Sequence, residues 1–225
     1  MPKVTEEYYE KKKSEILDAA YKVFTTKPIT SVVMKDIIAE TGFSHGVVYK
    51  YYKNLDDILV DLVIKMNSQS TLPERVTALL SKAKEKDWQK IIRKTCTILS
   101  DDLIGTDLAV LNFSIYCDAL TIGDPERVLK MGERIKSEYS SPLTVPIAMM
   151  TEYLGRVIES EKLRPTKSVE EIIQFIIVTY SGIQNDYALS QALKTPEMEG
   201  QYAPEVMFSF LAEAVIGVLK GKSND

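Results

Sequence analysis

The sequence predicts an all-α protein, with an N-terminal three-helix helix-turn-helix domain followed by a larger helical domain. Apolar residues recur at spacings of three and four along most of the 225-residue chain. Turn and cap signals rich in glycine, proline, serine, threonine and aspartate separate these stretches. No strand-like alternation of apolar and polar residues lies between them. The hydrophobic content of 45% is ample for a packed core.

The first helix is predicted over residues 6–24. Ile16, Ala20 and Phe24 repeat at intervals of four and mark its buried stripe. Pro28 ends the helix, because the residue before a proline is disfavoured in the α conformation.

Three short helices, separated by only a few residues, are then predicted, beginning near Val33. Thr30 or Ser31 is the expected cap of the first of them. Gly42 ends it, because glycine readily takes the left-handed conformation found at helix ends. Ser44 is positioned to cap the next helix with its side-chain oxygen.

The second of these short helices has at most about two turns. Its Val48, Tyr49 and Tyr52 are expected on one largely buried stripe. His45, Gly46, Lys50 and Tyr51 are left outside. A helix, a tight turn with a glycine and a second helix with small and polar side chains are typical of a helix-turn-helix, whose second helix enters the DNA major groove.

The third short helix is predicted to start after Asn54, a good N-cap, with Asp57 at the third position as in a capping box. It runs toward Ser70, and Pro73 is expected to mark its end.

This region resembles the DNA-binding signature of the TetR family of bacterial transcriptional regulators. Residues 13–24 are similar to the family's first helix, and the signature itself is carried by Ile37, Gly42, Phe43, Ser44, Gly46, Val48, Tyr49, Tyr51, Tyr52, Ile58 and Leu59. The resemblance implies an all-helical homodimer. It also implies a DNA-binding domain at residues 1–54 and an effector-binding and dimerisation domain at residues 55–225.

The resemblance implies which residues contact DNA, at the start of the second helix and along the recognition helix. They are Met34, Lys35, Ser44, His45, Gly46, Val47, Tyr49, Lys50 and Lys53. His45 is the only histidine in the chain, and without a second ligand or a neighbouring carboxylate it favours a DNA contact over metal or acid–base chemistry.

Three departures from the family pattern weaken this expectation. Val33 stands where relatives commonly carry a capping threonine, and Leu55 stands where many carry a phosphate-binding lysine. No arginine precedes Arg75, so the commonest specific contact, an arginine fork on guanine, is absent from the recognition helix. Lys53 and the backbone amides at the start of the following helix must then hold the phosphates.

The charge is unevenly divided along the chain. The formal net charge is −4, but residues 1–53 hold nine lysines and seven acidic residues, whereas the remainder carries −6. This asymmetry favours DNA binding through the N-terminal part alone. Lys11, Lys12 and Lys13 form either a solvated face or a source of nonspecific phosphate attraction.

The remaining helices are predicted from their break signals, among them Gly123-Asp124-Pro125 and Arg164-Pro165-Thr166. The predicted ranges are 74–84, 88–103, 107–122, 125–139, 143–163, 168–194 and 204–220. Glu152 and Arg156 are spaced to pair with each other on one helix face.

The last two helices are apolar nearly all round, which indicates burial on more than one side. In TetR-like proteins the final pair packs against its symmetry mate as a four-helix bundle; an ordinary monomer core is the alternative. The expected dimer-interface residues are Ile176, Tyr180, Ile183, Tyr187, Phe210, Ala214, Gly217 and Val218.

The middle helices hold aromatic and methionine residues with few polar groups, a mix that suits an apolar effector pocket and also an ordinary core. The candidate pocket residues are Trp88, Asn112, Phe113, Tyr116, Cys117, Met149, Met150, Tyr153 and Phe175. The effector they imply is an unknown, largely apolar small molecule.

An enzyme is disfavoured, because the chain has no glycine-rich phosphate loop, nucleophile motif or metalloprotease motif. Cys96 and Cys117 lack CxxC spacing, so no metal, cofactor or disulfide is expected. A charged N-terminus and the lack of a long apolar run predict a cytoplasmic protein with no membrane partner.

The function that the resemblance implies is a ligand-responsive repressor that binds a palindromic operator in double-stranded DNA as a dimer, with its recognition helices roughly 34–36 Å apart. Effector binding in the C-terminal domain would move the fourth helix and release the DNA. Activation, or a helical interaction protein that has lost DNA recognition, remain as alternatives.

Overall fold

A computed structural model describes residues 5–105, 109–111, 113–115, 117, 124–139, 143–193 and 203–221. Its helices are α1 (Glu6–Thr26), α2 (Met34–Thr41), α3 (His45–Tyr51), α4 (Leu55–Ser68), α5 (Leu72–Leu80), α6 (Trp88–Ile104), α7 (Pro125–Glu138), α8 (Thr144–Ser160), α9 (Val169–Leu193) and α10 (Pro204–Lys220). Residues 109–111, 113–115 and 117 are also helical. The described residues contain no strand, and the all-α prediction is confirmed.

The chain divides into two compact units, Met1–Ser68 with Leu111–Ser140 and Gln69–Val110 with Ser141–Asp225. This division does not fall at the predicted boundary between residues 54 and 55. Both α4 and α7 belong to the first unit. As functional ranges, 1–54 and 55–225 therefore stay predictions.

The first unit is built around α1, which packs against α2 and α4, while α7 packs against α4. Its centre holds Ile16, Ile37, Val48 and Ile58, all fully buried. Removing apolar side chains of this size from water contributes roughly 1.5–3 kcal/mol each. This core fixes the three short helices in place.

In the second unit α6 packs against α5 and α10, and α8 packs against α5 and α9. Its core includes the fully buried Tyr153, Leu154 and Phe208. The start of α5 corrects one expectation. Pro73 lies in the first turn of α5 and does not end α4, which stops at Ser68. Proline is tolerated there because the first turn of a helix needs no amide donor.

None of the helices in the described ranges is long and apolar enough to cross a membrane.

Candidate functional site

The turn between α2 and α3 has the conformation that its sequence predicts. Gly42 has a φ of 67°, in the left-handed region, and its N–H donates to the carbonyl of Ala39 at 3.4 Å. Ser44 occupies the N-cap position of α3 with extended backbone angles. Its side chain makes no capping hydrogen bond, so the expected side-chain cap is wrong, and the residue is exposed at the start of α3.

Helix α3 presents two faces. Val48 is fully buried and Tyr52 is 2% exposed, whereas Tyr49 is 48% exposed. The expected buried stripe is therefore wrong for Tyr49. At about 100° per residue, Tyr52 lies about 40° from the direction of Val48, whereas Tyr49 lies about 100° from it. Tyr51 is also not fully outside, because its ring packs on Tyr9 with centroids 4.7 Å apart.

Nearly all the predicted DNA contacts lie on the surface of the first unit. Lys35, Ser44, His45, Gly46, Val47, Tyr49, Lys50 and Lys53 are exposed. Met34 differs, because it is half-buried and packs against the core of the unit. The exposed set combines lysines, hydroxyls, an imidazole and a small apolar side chain, which are suited to phosphates and base edges.

The start of α2 is capped differently from the prediction. Val33 is the N-cap residue, and its N–H donates to the carboxylate of Asp36 at 3.0 Å. Thr30 and Ser31 lie in a preceding 3-10 turn, so the expectation that either caps α2 is wrong. The ammonium of Lys27 bonds to Asp36 at 2.7 Å and, with the backbone bond, holds the pKa of that carboxyl below its usual value.

The start of α4 confirms one cap and corrects another. Asn54 Oδ1 accepts from the N–H of Asp57 at 2.8 Å, as expected of an N-cap. The carboxylate of Asp57 does not complete a capping box; it accepts from Arg134 Nη1 of α7 at 2.7 Å. Arg127 of α7 likewise donates to Asp56 Oδ1 from its Nε at 2.9 Å and from its Nη2 at 2.6 Å.

Asp61 of α4 is a buried acid whose carboxylate accepts from three other side chains, an arrangement that the local pattern does not predict. Its carboxylate accepts from the Tyr52 hydroxyl at 3.1 Å, from Lys13 Nζ at 2.7 Å and from Arg134 Nη2 at 2.8 Å. Burial and the adjacent negative charge raise the pKa of Tyr52, so its hydroxyl stays a donor. We define Asp56, Asp57, Asp61, Arg127 and Arg134 as the α4–α7 charge network.

Two sequence signals could have indicated this network. Asp61 stands between Val60 and Leu62, both buried, so a lone acid interrupts an apolar run. Arg127 and Arg134 are two helical turns apart and share one face of α7.

The second unit contains an apolar cavity of about 190 Å³. Its lining comes from α5, α6, α8, α9 and α10, together with Leu143. The lining residues are Val76, Ile92, Thr95, Cys96, Leu99, Leu143, Pro146, Ile147, Met150, Leu154, Ile173, Ile176, Ile177, Tyr180, Ser181, Gln184 and Val215. Burial, with a smaller effect from Asp102, raises the pKa of Tyr180 to about 12.

Residues 16–62 match the family model described as bacterial regulatory proteins, tetR family. They contain α2, the glycine turn and α3. This segment carries the DNA-binding signature of the TetR family.

Sequence and structure comparisons also find regulators that are similar to this chain. An uncharacterized HTH-type transcriptional regulator of Bacillus subtilis, YfiR, is 44% identical over 57 residues, which span 25% of this chain and 28% of that protein. The fatty acid degradation regulator FadR of Bacillus halodurans superposes with a TM-score of 0.61 at 15% identity, covering 94% of this chain and 97% of its own.

Two further structures share the fold. Bacillus subtilis FadR in complex with stearoyl-CoA has a TM-score of 0.61 at 18% identity, covering 93% of this chain and 99% of its own. NalD of Pseudomonas aeruginosa, the secondary repressor of the MexAB-OprM multidrug efflux pump, has a TM-score of 0.57 at 18% identity, with 96% and 99% covered. At these identities the superpositions show the fold alone.

The cavity lining and the predicted pocket set share Met150. Trp88 and Tyr153 are buried elsewhere in the second unit, where the Tyr153 hydroxyl donates to the carbonyl of Lys84 at 3.1 Å. Met149 is half-buried, and Phe175 is 45% exposed.

The other predicted pocket residues fall outside the second unit or outside the described residues. Phe113 and Cys117 belong to the first unit. Asn112 and Tyr116 lie outside the described residues.

The predicted dimer-interface residues divide into two groups. Ile176 and Tyr180 line the cavity, and Ile183 is buried within the second unit. The exposed members are Phe210, Ala214 and Gly217, while Tyr187 and Val218 are half-buried. Neighbouring apolar residues are exposed as well, with Val178 at 59% and Val206 at 52%.

Among the described residues no group of three histidine, cysteine or acidic side chains is arranged to hold a metal ion. Neither Cys96 nor Cys117 forms a disulfide with another described residue. Burial raises the pKa of Cys96 to about 12, which leaves it an unreactive thiol at neutral pH.

Proposed function

We propose that this protein is a transcriptional repressor of the TetR family that binds a palindromic operator as a homodimer and leaves it when an effector occupies the second unit. The observation that carries the proposal is the exposed polar surface of α2 and α3, within the segment that matches the family. DNA binding is assigned to residues 1–54, and effector binding and dimerisation to residues 55–225.

Each exposed side chain has a role that its chemistry suits. Lys35, Lys50 and Lys53 hold phosphates, and Tyr49 donates a hydroxyl to a phosphate oxygen. His45, at the first position of α3, reads a base edge, because the N-terminal residues of a recognition helix lie deepest in the major groove. Val47 packs on a thymine methyl group.

The effector acts through linkage. A ligand that binds the second unit more tightly in the DNA-free form shifts the dimer toward that form by its difference in affinity. The cavity of about 190 Å³ supports this assignment, because its lining is apolar, as in most small-molecule sites.

Selection from a random pool of duplex DNA, at two salt concentrations, tests the proposal. We expect enrichment of a palindrome and an affinity that falls steeply as salt rises. Lys53→Ala weakens binding to the selected operator and reduces the salt slope by about 1, because one phosphate contact is lost. Lys162→Ala, an exposed lysine of the second unit, is the matched control and leaves both unchanged.

Failure to enrich any sequence, from protein shown by mass spectrometry to carry no bound molecule, would contradict the repressor assignment. It would favour a helical interaction protein that keeps the fold without reading DNA. The interaction-protein alternative is supported by the lack of any arginine before Arg75, because arginine makes the commonest specific contact with a base.

A further inference from the structure

We propose that the cavity in the second unit binds a compact, electrically neutral and mostly apolar molecule that carries one hydroxyl or carbonyl group. This inference rests on the proposed function, because it names the chemical class of the effector. It concerns the second unit alone.

The walls of the cavity exclude a charged ligand. Most of the lining side chains are aliphatic or thioether, as at Leu99, Met150 and Ile173, and the described lining contains no charged residue. A carboxylate, phosphate or ammonium group placed there would lose its hydration without gaining a partner, which is far costlier than burying a neutral polar group.

One stretch of the cavity wall nevertheless offers hydrogen bonds. Tyr180 and Gln184 are four residues apart on α9 and so lie on the same face of that helix. Neither side chain makes a hydrogen bond to any described residue. The other hydroxyls of the lining, at Thr95 and Ser181, already donate to carbonyls of their own helices at 3.0 and 3.1 Å.

The chemistry of this polar end selects a neutral acceptor. With a pKa of about 12, Tyr180 keeps its proton at neutral pH and is a hydrogen-bond donor. Asp102, whose carboxylate accepts from Ser70 at 3.1 Å, contributes to that raised pKa and therefore lies close enough to repel an anion. The amide of Gln184 can both donate and accept, so a ligand carbonyl or hydroxyl finds a partner.

The volume limits the size of the ligand. An apolar cavity of about 150 Å³ accommodates benzene, so the present cavity of about 190 Å³ takes roughly eight non-hydrogen atoms. One substituted ring or a short branched chain fits. The stearoyl-CoA bound by Bacillus subtilis FadR is far larger and carries phosphates, for which this lining offers no cation.

Calorimetric titration of the full chain without DNA tests the inference with three probes: acetophenone, ethylbenzene and lauroyl-CoA. Acetophenone should bind, and ethylbenzene, which lacks the oxygen, should bind about threefold to tenfold more weakly, the usual effect of one hydrogen bond. Lauroyl-CoA should give no saturable binding. Saturable binding of lauroyl-CoA, or no binding of acetophenone, would overturn the inference.

Two variants locate the site. Tyr180→Phe should weaken acetophenone about threefold to tenfold and leave ethylbenzene unchanged. Ile177→Phe should abolish binding of both by filling the cavity, whereas Leu129→Phe, at an exposed position of the first unit, should have no effect. Thermal unfolding reports whether each variant folds, and Cys96→Met replaces Ile177→Phe if the latter does not.

Because no DNA is present, this outcome is independent of operator binding. A chain that binds acetophenone but enriches no palindrome would support the ligand class and contradict the repressor assignment.

Discussion

Arg134 Nη2 lies 2.8 Å from the Asp61 carboxylate, although the two residues are 73 positions apart in the chain. The same carboxylate accepts from Tyr52, the C-cap residue of α3. One buried acid thus connects α7 with α3. Because both residues belong to the first unit, α7 is part of the support of the DNA-binding helices.

We expect Arg134→Ala to destabilise the protein by about 1–2 kcal/mol. The substitution leaves a buried carboxylate with one charged partner fewer, and the one-third exposure of Arg134 keeps the cost below that of a fully buried pair. Urea unfolding measures the change. Glu138→Ala is the matched control, because it removes only the exposed Arg134–Glu138 bond and should cost under about 0.5 kcal/mol.

Two tyrosines of the same segment should respond in opposite ways to loss of the hydroxyl. Tyr52→Phe removes a buried donor to Asp61 and should cost about 1 kcal/mol in unfolding free energy. Tyr49→Phe should leave stability unchanged, because Tyr49 is 48% exposed, and should weaken operator binding about threefold to tenfold. Urea unfolding and fluorescence anisotropy on the selected operator separate the two effects. Unchanged operator affinity in Tyr49→Phe would remove that residue from the proposed DNA surface.

The local pattern predicts the helices and the glycine turn well, because Gly42 and Asn54 act within a few residues of their own positions. It fails at Val33, where the cap comes from Asp36 three residues later and is reinforced by Lys27 from the preceding segment. The local pattern also cannot predict the α4–α7 charge network. Those bonds join residues more than 70 positions apart, and their charges look like ordinary solvated faces in the sequence.

The cavity shows the same limit in the second unit. Aromatic and methionine residues in the sequence are compatible with a pocket and with an ordinary core. Trp88 and Tyr153 are buried in the core of the second unit and do not line the cavity. Ile176 and Tyr180, expected at a dimer interface, line the cavity. An apolar helix such as α9 gives no periodic signal for which of its faces meets a space and which meets another helix.

The Lys27–Asp36 bond should make stability depend on pH at the acidic end. Hydrogen bonds from Lys27 and from the Val33 amide lower the pKa of Asp36 in the folded protein. Its contribution is therefore fully present above the unfolded pKa of about 3.9 and is lost as pH falls through the lower folded value. Melting temperatures of the wild type and Asp36→Asn should differ at pH 7 and converge as the pH falls through that lower folded value. A constant difference across that range would exclude the ionised carboxylate as the cause.

The exposed apolar face of α10 leads to the last prediction, which concerns the proposed dimer. Phe210 is 67% exposed, and Val206 and Met207 beside it are also exposed. In a two-fold dimer each substitution occurs twice, so Phe210→Asp removes two buried rings and introduces two unpaired carboxylates. The dimer dissociation constant should rise by at least about 100-fold.

Sedimentation velocity measures that change, and Leu129→Asp provides a matched control. Leu129 is 66% exposed but lies on α7, which belongs to the first unit and is not one of the proposed interface helices. The control variant should remain a dimer and keep its operator affinity. Phe210→Asp should become monomeric at micromolar concentration and lose affinity for the full palindrome, because two half-sites are no longer bound together. If both variants stay dimeric, the interface lies elsewhere, and the exposed face of α10 needs another explanation.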